Sequence, residues 1–435
     1  MSGKINRREF TKAGAAATLG LTAAQYARAQ GANERIRLGV IGTANRGGQL
    51  ISAFLPHEDC EIVALCDVHE AALTKASERL DNKPTTYSDF RKLIASKDVD
   101  AVAVATPDHW HGIQTVDACD AGKDVYVEKP LSITVFEGRR MVEAARRNKR
   151  IVQVGTQRRS GKIYAKAHKL VSTGGIGKVT VSRAYHRSNM APDGIGHAPP
   201  SDPPAGLDWD MWLGPRPMRP YQATIAPYKF RWWHLYSSQT ANNGIHYLDM
   251  IRYLNDDLAP TSICAMGGRF AVDDDRTIPD TLEVTFEFPA GRLVVFGMYE
   301  TCGNQTMALG GFVELRGTKG TLYTSDKSFE VLPERGGQFQ KDSRQDRIER
   351  IKEQGSDGNL TVQHTRNFLD CIKSRDMPHS DVEEGHRSTT MSLLAKISWL
   401  TRCRLEWDPK TEQITNNEEA NSMLHYEYRE PWKLG

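Results

Sequence analysis

Short β-branched runs alternate with helical patterns over residues 35–157. Runs of apolar residues bounded by turn signals predict strands at Ile36–Ile41, Ile62–Cys66, Ala101–Ala105, Asp124–Val127 and Ile151–Val154. Apolar positions that recur every three or four residues predict helices at Glu70–Leu80, Ser88–Ala95, Trp110–Ala121 and Thr134–Asn148. This alternation predicts an α/β fold in which residues 35–158 form a doubly wound parallel sheet, a Rossmann domain.

A different pattern begins after residue 158. Residues 162–172 have helical periodicity, and longer strands follow in which apolar and polar side chains alternate, as in a sheet with one packed face. The alternation predicts strands at Val179–His186, Ser262–Phe270, Asp280–Phe288, Arg292–Tyr299 and Gly311–Arg316. These elements predict an α+β domain with an open, mainly antiparallel sheet over residues 159–403, followed by a C-terminal tail at 404–435.

A segment rich in proline and tryptophan interrupts this second domain. Nine of the 20 prolines lie between Pro192 and Pro227, and four of the eight tryptophans lie between Trp209 and Trp233. The segment lacks the periodicity of a helix or a strand, so a long ordered loop is predicted. Its aromatic side chains either stack on a sugar or form a local core, and the sequence leaves both interpretations open.

The charge of the chain excludes some classes of partner. There are 57 basic and 54 acidic residues, but residues 1–29 hold five of the basic residues and only one acidic residue. Without that segment the net charge falls from +3 to −1, which gives no electrostatic reason to expect nucleic acid or an anionic membrane as partner. The seven cysteines form no Cys-x-x-Cys pair, and no apolar run reaches the length of a membrane-spanning helix.

The first 29 residues have the features of an export signal. Arg7 and Arg8 precede a weakly apolar stretch over 13–24, and residues 27–29 read Ala-Arg-Ala, the pattern of a cleavage site. We predict a twin-arginine signal peptide over residues 1–29 and a location that is periplasmic or otherwise reached by twin-arginine export. The alternative is a short amphipathic helix with an incidental arginine pair. The twin-arginine route carries folded proteins, often with a cofactor already bound.

A glycine-containing turn follows the first predicted strand. Residues 42–47 read Gly-Thr-Ala-Asn-Arg-Gly, which is typical of a turn that binds a pyrophosphate when a strand precedes it and a helix follows. Asp67 ends the second strand, where an acid accepts the ribose hydroxyls and repels a 2′-phosphate, so NAD is predicted over NADP. Arg46 keeps NADP open, because an arginine in the turn can pair with a phosphate. The alternative role of the turn is to pack the strand against the helix.

Two further strand ends are predicted to face the same crevice, because ligands of open α/β sheets bind beyond the carboxyl ends of the strands. One reads Thr-Pro-Asp-His-Trp-His over residues 106–111, and the other reads Glu-Lys-Pro over residues 128–130. The second places the ammonium of Lys129 beside a bound nicotinamide, although a solvated strand end is the alternative. His109 and His111 have no further ligands nearby in the sequence, so no metal site is predicted.

These motifs together resemble the Gfo/Idh/MocA oxidoreductases, the family of glucose–fructose oxidoreductase and inositol dehydrogenase. The resemblance rests on the glycine turn, Asp67, the two strand ends, residues 155–159 (Gly-Thr-Gln-Arg-Arg) and residues 244–249 (Gly-Ile-His-Tyr-Leu-Asp). It covers nearly the whole chain after the export signal. In that family a lysine and a histidine carry the chemistry, which points to Lys129 and His246.

The chain departs from the family pattern at two places. Asn242 stands where the family usually has an aspartate, and two serines stand at 237–238, where a glycine pair is usual. Asn242, His246 and Asp249 are spaced i, i+4 and i+7, so a helix that begins near Thr240 is expected to carry all three on one face.

The resemblance implies a complete site. The implied cofactor contacts are Gly42, Ala44, Asn45, Arg46, Asp67, Thr106, Pro107, His111, Glu128, Lys129 and Gln157. The implied substrate contacts are Lys129, Arg159, Trp212, Arg231, Trp232, Asn242 and His246. Hydride transfer needs a base for the carbinol proton, and His246 is the predicted base because an unperturbed histidine has a pKa of about 6.5. Lys129 is predicted to stabilise the alkoxide, and Asn242 to orient the imidazole or a sugar hydroxyl.

The sequence therefore predicts an exported NAD(P)-binding oxidoreductase that acts on a sugar, glycoside or cyclitol with a tightly held cofactor. The resemblance also implies a homo-oligomer joined through the C-terminal sheet. One alternative is a NAD-dependent glycoside hydrolase, which oxidises a ring carbon, eliminates the aglycone and reduces the ring again. The intact Glu-Lys-Pro slightly favours the oxidoreductase, because some hydrolase relatives alter that motif. A second alternative is a sugar-binding protein without turnover.

Overall fold

The computed structural model describes residues 35–289, 291–355 and 358–435, so the predicted signal peptide at 1–29 lies outside the described residues. The strands of the first sheet are β1 (Ile36–Ile41), β2 (Cys60–Cys66), β3 (Thr85–Tyr87), β4 (Ala101–Val104), β5 (Asp124–Val127) and β6 (Val152–Val154). They pair in parallel in the order β3-β2-β1-β4-β5-β6. The covering helices are α1 (Asn45–Phe54), α2 (Glu70–Glu78), α3 (Phe90–Ala95), α4 (His111–Asp120) and α5 (Val135–Arg147).

The predicted Rossmann sheet is confirmed, with one additional strand. Every residue of β4 and β5 is buried, which explains why both read as continuous apolar runs. Strand β3 is missing from the prediction because it has only three residues, Thr-Thr-Tyr, and lies at the edge of the sheet with two of them exposed. So short and polar a strand gives no apolar periodicity.

The second sheet has ten strands and is mostly antiparallel, as predicted. Its strands are β7 (Val179–Arg187), β8 (Ser262–Gly268), β9 (Thr281–Phe288), β10 (Arg292–Tyr299), β11 (Val313–Gly317), β12 (Gly320–Thr324), β13 (Ser328–Pro333), β14 (Ile351–Gln354), β15 (Leu405–Asp408) and β16 (Gln413–Ile414). They pair in the order β14-β13-β12-β11-β7-β10-β9-β8-β15-β16, and β7 runs parallel to β10. The remaining helices are α6 (Lys162–Ser172), α7 (Trp209–Leu213), α8 (Ile245–Asn255), α9 (Leu360–Ser374), α10 (Val382–Thr401) and α11 (Glu418–Ser422).

The last part of the chain joins the two sheets. Phe368 of α9 packs edge-on against Phe54 and Tyr126 of the Rossmann domain, at centroid distances of 6.3 and 5.9 Å. Asp381, at the start of α10, pairs with Arg146 of α5. The predicted C-terminal tail is partly regular, because β15 and β16 extend the second sheet at its edge. These contacts hold the Rossmann strand ends against the second domain, and two clefts lie between them.

Within the described residues, no helix combines the length and apolar character needed to cross a bilayer. His, Cys, Asp and Glu side chains in the same part of the chain form no group of three suited to holding a metal ion.

Candidate active site

A cleft of about 870 Å³, called the first cleft below, opens at the carboxyl ends of β1, β2 and β4. Its Rossmann wall contains seven of the implied cofactor contacts: Gly42, Ala44, Asn45, Arg46, Asp67, Thr106 and Pro107. Its opposite wall comes from the proline-rich and tryptophan-rich loop of the second domain: Leu207, Met211, Trp212, Pro227, Tyr228, Phe230 and Arg231. The cleft therefore has walls from both domains.

The glycine turn after β1 has the shape of an anion cradle. Gly42 has φ +84°, and a Cβ there would lie 2.7 Å from the carbonyl oxygen of Ala105. A Cβ at Gly47 would lie 1.8 Å from the carbonyl oxygen of Gly42, so both positions require glycine. Helix α1 begins after Ala44 with no side-chain cap, which leaves its first N–H groups free for an anion.

Asp67 is fixed at the end of β2 by three hydrogen bonds. Its Oδ2 accepts from the backbone N–H of Thr43 at 2.7 Å and from Oγ1 of Thr43 at 3.1 Å, and its Oδ1 accepts from the N–H of His69 at 3.0 Å. Oδ2 uses both of its lone pairs in these bonds, whereas Oδ1 keeps a second lone pair for a ligand. The free helix N-terminus, the glycine cradle and this half-buried acid fit the pyrophosphate and ribose of NAD.

Arg46 is engaged with the protein itself. Its Nε donates to Oε1 of buried Glu128 at 2.7 Å, and the carboxylate raises the pKa of the guanidinium despite burial. A Cβ at Gly155 would lie 2.8 Å from the carboxyl carbon of Glu128, so this glycine makes the space for the ion pair. The pairing removes the free cation that a 2′-phosphate would need from Arg46.

A second cleft of about 1140 Å³ continues from the first, and both are lined by Asn45, Arg46, Ala105, Thr106, Tyr228 and Arg231. The other residues that line it are Asp108, His111, Glu128, Lys129, His186, Ser188, Met190, Trp232, Gln239, Asn242, Asn243 and Glu300. This wall is rich in amides, hydroxyls and charged groups, which are the groups that bind a polyol. Lys129, Arg231, Trp232 and Asn242 were implied as substrate contacts, and all four lie here.

Lys129 is held by one partner residue. Its Nζ donates to the backbone carbonyl of Asn242 at 2.7 Å and to Oδ1 of the same residue at 3.0 Å. The pKa of Lys129 is lowered to about 8, mainly by burial and also by the nearby charges of Arg231 and Arg46, against the opposing effect of Glu128 and Asp108. An ammonium has three N–H donors, so one is left for a ligand in the cleft.

His111 has no ring nitrogen to offer a ligand. Its Nδ1 lies 2.7 Å from the carbonyl oxygen of Pro130, and its Nε2 lies 3.0 Å from the carbonyl oxygen of Thr106. The ring therefore connects the ends of β4 and β5, and its contribution to the cleft is to hold these two segments together.

His246 lies among cations, one of which is Lys129 of the second cleft. It is half-buried and is not one of the residues that line either cleft. Burial lowers its pKa well below the ordinary value, and the charges of Lys129, Arg158 and Arg46 lower it further. The imidazole is therefore neutral at pH 7, and it is a weaker base than an unperturbed histidine.

The helix of the predicted base begins with a π-helical turn at Thr240–Gly244, which α8 continues. Such a turn contains an extra residue and changes the direction of the side chains that precede it. Asn242 thus contacts Lys129, whereas Asp249 accepts hydrogen bonds from Arg159 and Ser388. The three residues expected to share one face have different environments.

Besides His246, two implied contacts lie outside both clefts. The guanidinium of Arg159 is buried and pairs with Asp249 at 2.9 Å and with Glu384 at 3.3 Å. Gln157 precedes it in the same short turn, and its buried Oε1 has no hydrogen-bond partner among the described residues. Arg159 is therefore occupied by a salt bridge within the protein.

Trp212, another implied substrate contact, lines the first cleft instead of the second. Its side chain is 4% exposed and stacks on Trp209 at a centroid distance of 4.8 Å.

The structure adds an acid to the site that the sequence analysis did not single out. Asp108 is buried at the second cleft, and Oγ of Ser237 donates to its Oδ2. Burial raises the pKa of this carboxyl, against the opposing effect of nearby His111 and Lys129. Its position in the strand-end motif was the available signal, but nothing in the sequence indicates its contact with Ser237.

Two more side chains reach the second cleft from the ten-stranded sheet. His186 is the penultimate residue of β7, and burial lowers its pKa to about 4. Glu300 follows β10, accepts from Nε1 of Trp232 at 3.0 Å and pairs with buried Arg276 at 2.6 Å. Because β7 and β10 are parallel neighbours, their carboxyl ends meet at the cleft.

Family comparisons cover both domains. The model described as "Oxidoreductase family, NAD-binding Rossmann fold" matches residues 36–156, and the model described as "Oxidoreductase family, C-terminal alpha/beta domain" matches residues 162–434. An alpha-N-acetylgalactosaminidase of Shewanella oneidensis is 31% identical over 174 residues, which are 34% of this chain and 38% of that protein. The chain thus spans well under half the length of the curated relative that it matches.

Two solved structures share the fold along most of the chain. The WlbA dehydrogenase from Bordetella pertussis, in complex with NADH and UDP-GlcNAcA, is 19% identical with a TM-score of 0.64 and covers 86% of this chain and 99% of its own. An aldose-aldose oxidoreductase from Caulobacter crescentus, complexed with glycerol, is 17% identical with a TM-score of 0.63 and the same coverage. At these identities the likeness is one of fold.

Proposed function

The chain belongs to the Gfo/Idh/MocA family of NAD-binding oxidoreductases, and on that premise we propose that it transfers hydride between a tightly held NAD and a carbinol of a sugar, glycoside or cyclitol. The observation that carries the proposal is the continuity of the two clefts. The first fits a dinucleotide, and the second is lined by polar groups around Lys129. The nicotinamide supplies the hydride acceptor and donor when NAD is bound.

Lys129 and His246 have complementary roles in this proposal. The third N–H of Lys129 donates to the carbinol oxygen and stabilises the negative charge that develops there when the proton leaves. Asn242 fixes the other two donors, so the ammonium is positioned before substrate binds. His246, which is neutral, is the proposed acceptor of the proton that leaves the carbinol hydroxyl.

The proposal includes a closed redox cycle and export through the twin-arginine route. Its support is the sequence of residues 1–29. An exported enzyme meets little free NAD, so a bound nucleotide has to return to its starting oxidation state within each cycle. The oxidation state of the nucleotide can be restored in two ways. In the first, one sugar is oxidised while another is reduced, in keeping with the name of the aldose-aldose oxidoreductase from Caulobacter crescentus. In the second, the same sugar is oxidised and then reduced again. The outer face of the ten-stranded sheet is proposed as the contact between copies of the chain.

A NAD-dependent glycoside hydrolase is the second candidate. The observation that favours it is the 31% identity to the alpha-N-acetylgalactosaminidase, over about a third of this chain. The same removal of hydride and proton would start the reaction, and loss of the aglycone and return of the hydride would complete it. A sugar-binding protein without turnover is the remaining alternative.

One experiment separates these candidates. The purified protein is mixed with aryl glycosides, N-acetylgalactosaminides included, and with pairs of free aldoses, without added NAD. Paired formation of oxidised and reduced sugars supports the oxidoreductase, whereas release of the aglycone without net keto-sugar supports the hydrolase. An absolute requirement for stoichiometric added NAD contradicts the closed cycle. No change in any sugar, with NAD bound, indicates the binding protein.

A further inference from the structure

The wall that the second domain contributes to the first cleft is attached directly to the Rossmann domain. This wall, residues 206–231, is called the roof. The N–H of Glu70 donates to the carbonyl of Gly206 at 2.8 Å, and the N–H of Asp208 donates to the carbonyl of Val68 at 3.0 Å. The attached segment immediately follows Asp67, so the roof is fixed beside the acid that fits the ribose.

A second attachment lies at α7, within the roof. The carbonyl of Trp212 accepts from Nε1 of Trp110 at 3.1 Å and from Nε2 of His109 at 2.9 Å. Gly214 has φ +53°, and a Cβ there would lie 2.1 Å from the Trp110 ring. The roof therefore packs against Trp110, which itself lines the first cleft.

The C-terminal end of the chain covers this junction from outside. Arg429 donates to the carbonyls of Gly214 and Arg216, both at 3.0 Å, and its guanidinium pairs with Asp210 of α7 at 2.6 Å. Trp432 packs edge-on against Trp110 at 4.7 Å and stacks on Phe90 at 6.3 Å. Both of these rings line the first cleft. Arg429 and Trp432 are called the lock.

The roof also carries the cation that the Rossmann wall lacks. Arg46 is paired with Glu128, whereas Arg231 lines both clefts and forms no salt bridge among the described residues, although its charge acts on buried Asp108. Its guanidinium lies over the Tyr228 ring at 4.2 Å, and one N–H donates to the carbonyl of Tyr228 at 2.8 Å. The remaining donors are available, and a guanidinium fork matches a diphosphate.

We propose that the roof is the second half of the dinucleotide site, with Arg231 as its contact to the diphosphate, and that the lock keeps the roof closed over the bound nucleotide. The proposal rests on the proposed function, because it takes NAD as the ligand. It accounts for a cofactor held through many turnovers: release requires the tail to leave Trp110 and the roof to leave Val68 and Glu70. It also assigns Arg231, implied by the resemblance to contact substrate, to the cofactor.

The test measures NADH release by nicotinamide fluorescence after excess NAD is added. Trp432→Ala and Arg429→Ala are expected to raise the dissociation rate at least about tenfold. Trp432→Phe, which keeps an aromatic ring on Trp110, is expected to stay within about threefold of wild type. The matched control is Trp399→Ala, because Trp399 is half-buried beside β8 and donates to the carbonyl of Gly267.

Arg231 is tested with fragments of the nucleotide. Arg231→Gln is expected to weaken ADP-ribose about fivefold or more and to leave adenosine binding unchanged. The control Arg404→Gln removes a cation that pairs with Glu287 near the edge of the ten-stranded sheet. It is expected to alter neither the affinity for ADP-ribose nor the affinity for adenosine. Circular dichroism and thermal melting identify variants that fail to fold, and Arg429→Ala keeps the test of the lock informative if Trp432→Ala is one of them.

The outcomes separate this inference from the proposed function. A wild-type protein that binds no NADH contradicts both. Wild-type binding with unchanged release from the lock variants overturns the lock, and unchanged ADP-ribose affinity in Arg231→Gln overturns the diphosphate contact. Either of these results leaves the proposed oxidoreductase intact.

Discussion

Lys129 and Asn242 are joined by two hydrogen bonds across the second cleft, one to the backbone carbonyl and one to Oδ1. The partner is an amide where the resemblance leads one to expect a carboxylate. An amide positions the ammonium without adding a negative charge, so burial is free to lower the pKa of Lys129 to about 8. The departure from the family pattern therefore has a physical consequence at the proposed catalytic group.

Asn242→Asp is expected to shift the alkaline limb of the pH–rate profile upward by about one unit or more, because a carboxylate 3.0 Å from Nζ favours the charged ammonium. The proposed donor works when protonated, so activity falls as pH rises through the pKa of Lys129. Asn243→Asp is the control, since Asn243 contacts His186 and Gln239 instead. If the alkaline limb of the pH–rate profile is at the same pH in Asn242→Asp as in wild type, the pKa of Lys129 does not determine that limb.

Lys129→Ala and His246→Ala are each expected to lower turnover by about 10²–10⁴, with NADH binding retained. The double variant is expected to lose less than the product of the two effects, because both groups act on one proton transfer. Steady-state rates with the sugar identified by the product assay provide the measurement. Full activity and an unchanged pH profile in His246→Ala would remove His246 from the mechanism, and because His246 lines neither cleft this is the decisive variant.

Arg159 gives a stability prediction. Removing Asp249 leaves a buried guanidinium with only half-exposed Glu384 as its partner, so Asp249→Ala is expected to lower the free energy of unfolding by about 3–5 kcal/mol. Urea unfolding measures the change. The exposed Asp256 supplies the control, and Asp256→Ala is expected to change stability by less than about 1 kcal/mol. A similar stability in both variants would contradict a structural role for the buried pair.

The sequence predicted those parts of the site that depend on short segments. The turn at 42–47 and the ends of β2 and β5 each combine a strand with one adjacent motif, and parallel strands bring these ends to one edge. The structure contains this parallel sheet, and the parallel pairing brings Gly42, Asp67 and Lys129 to its carboxyl edge.

The features of the site that the sequence did not predict depend on contacts between segments that are distant along the chain. Asn242 lies 113 residues after Lys129, and Ser237 lies 129 residues after Asp108. His186 and Glu300 approach each other only because β7 pairs with β10, a pairing that alternation along each strand does not specify. Arg159 was placed in the substrate site because it lies in a family motif, but its salt bridge to Asp249 is formed only in the folded chain.

Asp67 is expected to determine the choice of cofactor. Its carboxylate is fixed by Thr43 and His69 at the position proposed for the adenosine ribose, so a 2′-phosphate there would meet a like charge at a cost of several kcal/mol. NADP is therefore expected to bind at least about 100-fold more weakly than NAD. Asp67→Ala is expected to narrow the ratio of NAD to NADP affinity mainly by improving NADP binding, with some loss of NAD affinity from the missing ribose contact.

The control for this prediction is Glu70→Ala, because Glu70 is an exposed acid at the start of α2. This variant accounts for the general loss of negative charge at the same edge of the sheet. Fluorescence titration of wild type and both variants with NADH and NADPH gives the six affinities needed. Tighter NADPH binding by the wild type would contradict the role of Asp67 and would require Arg46 to leave Glu128 for the phosphate.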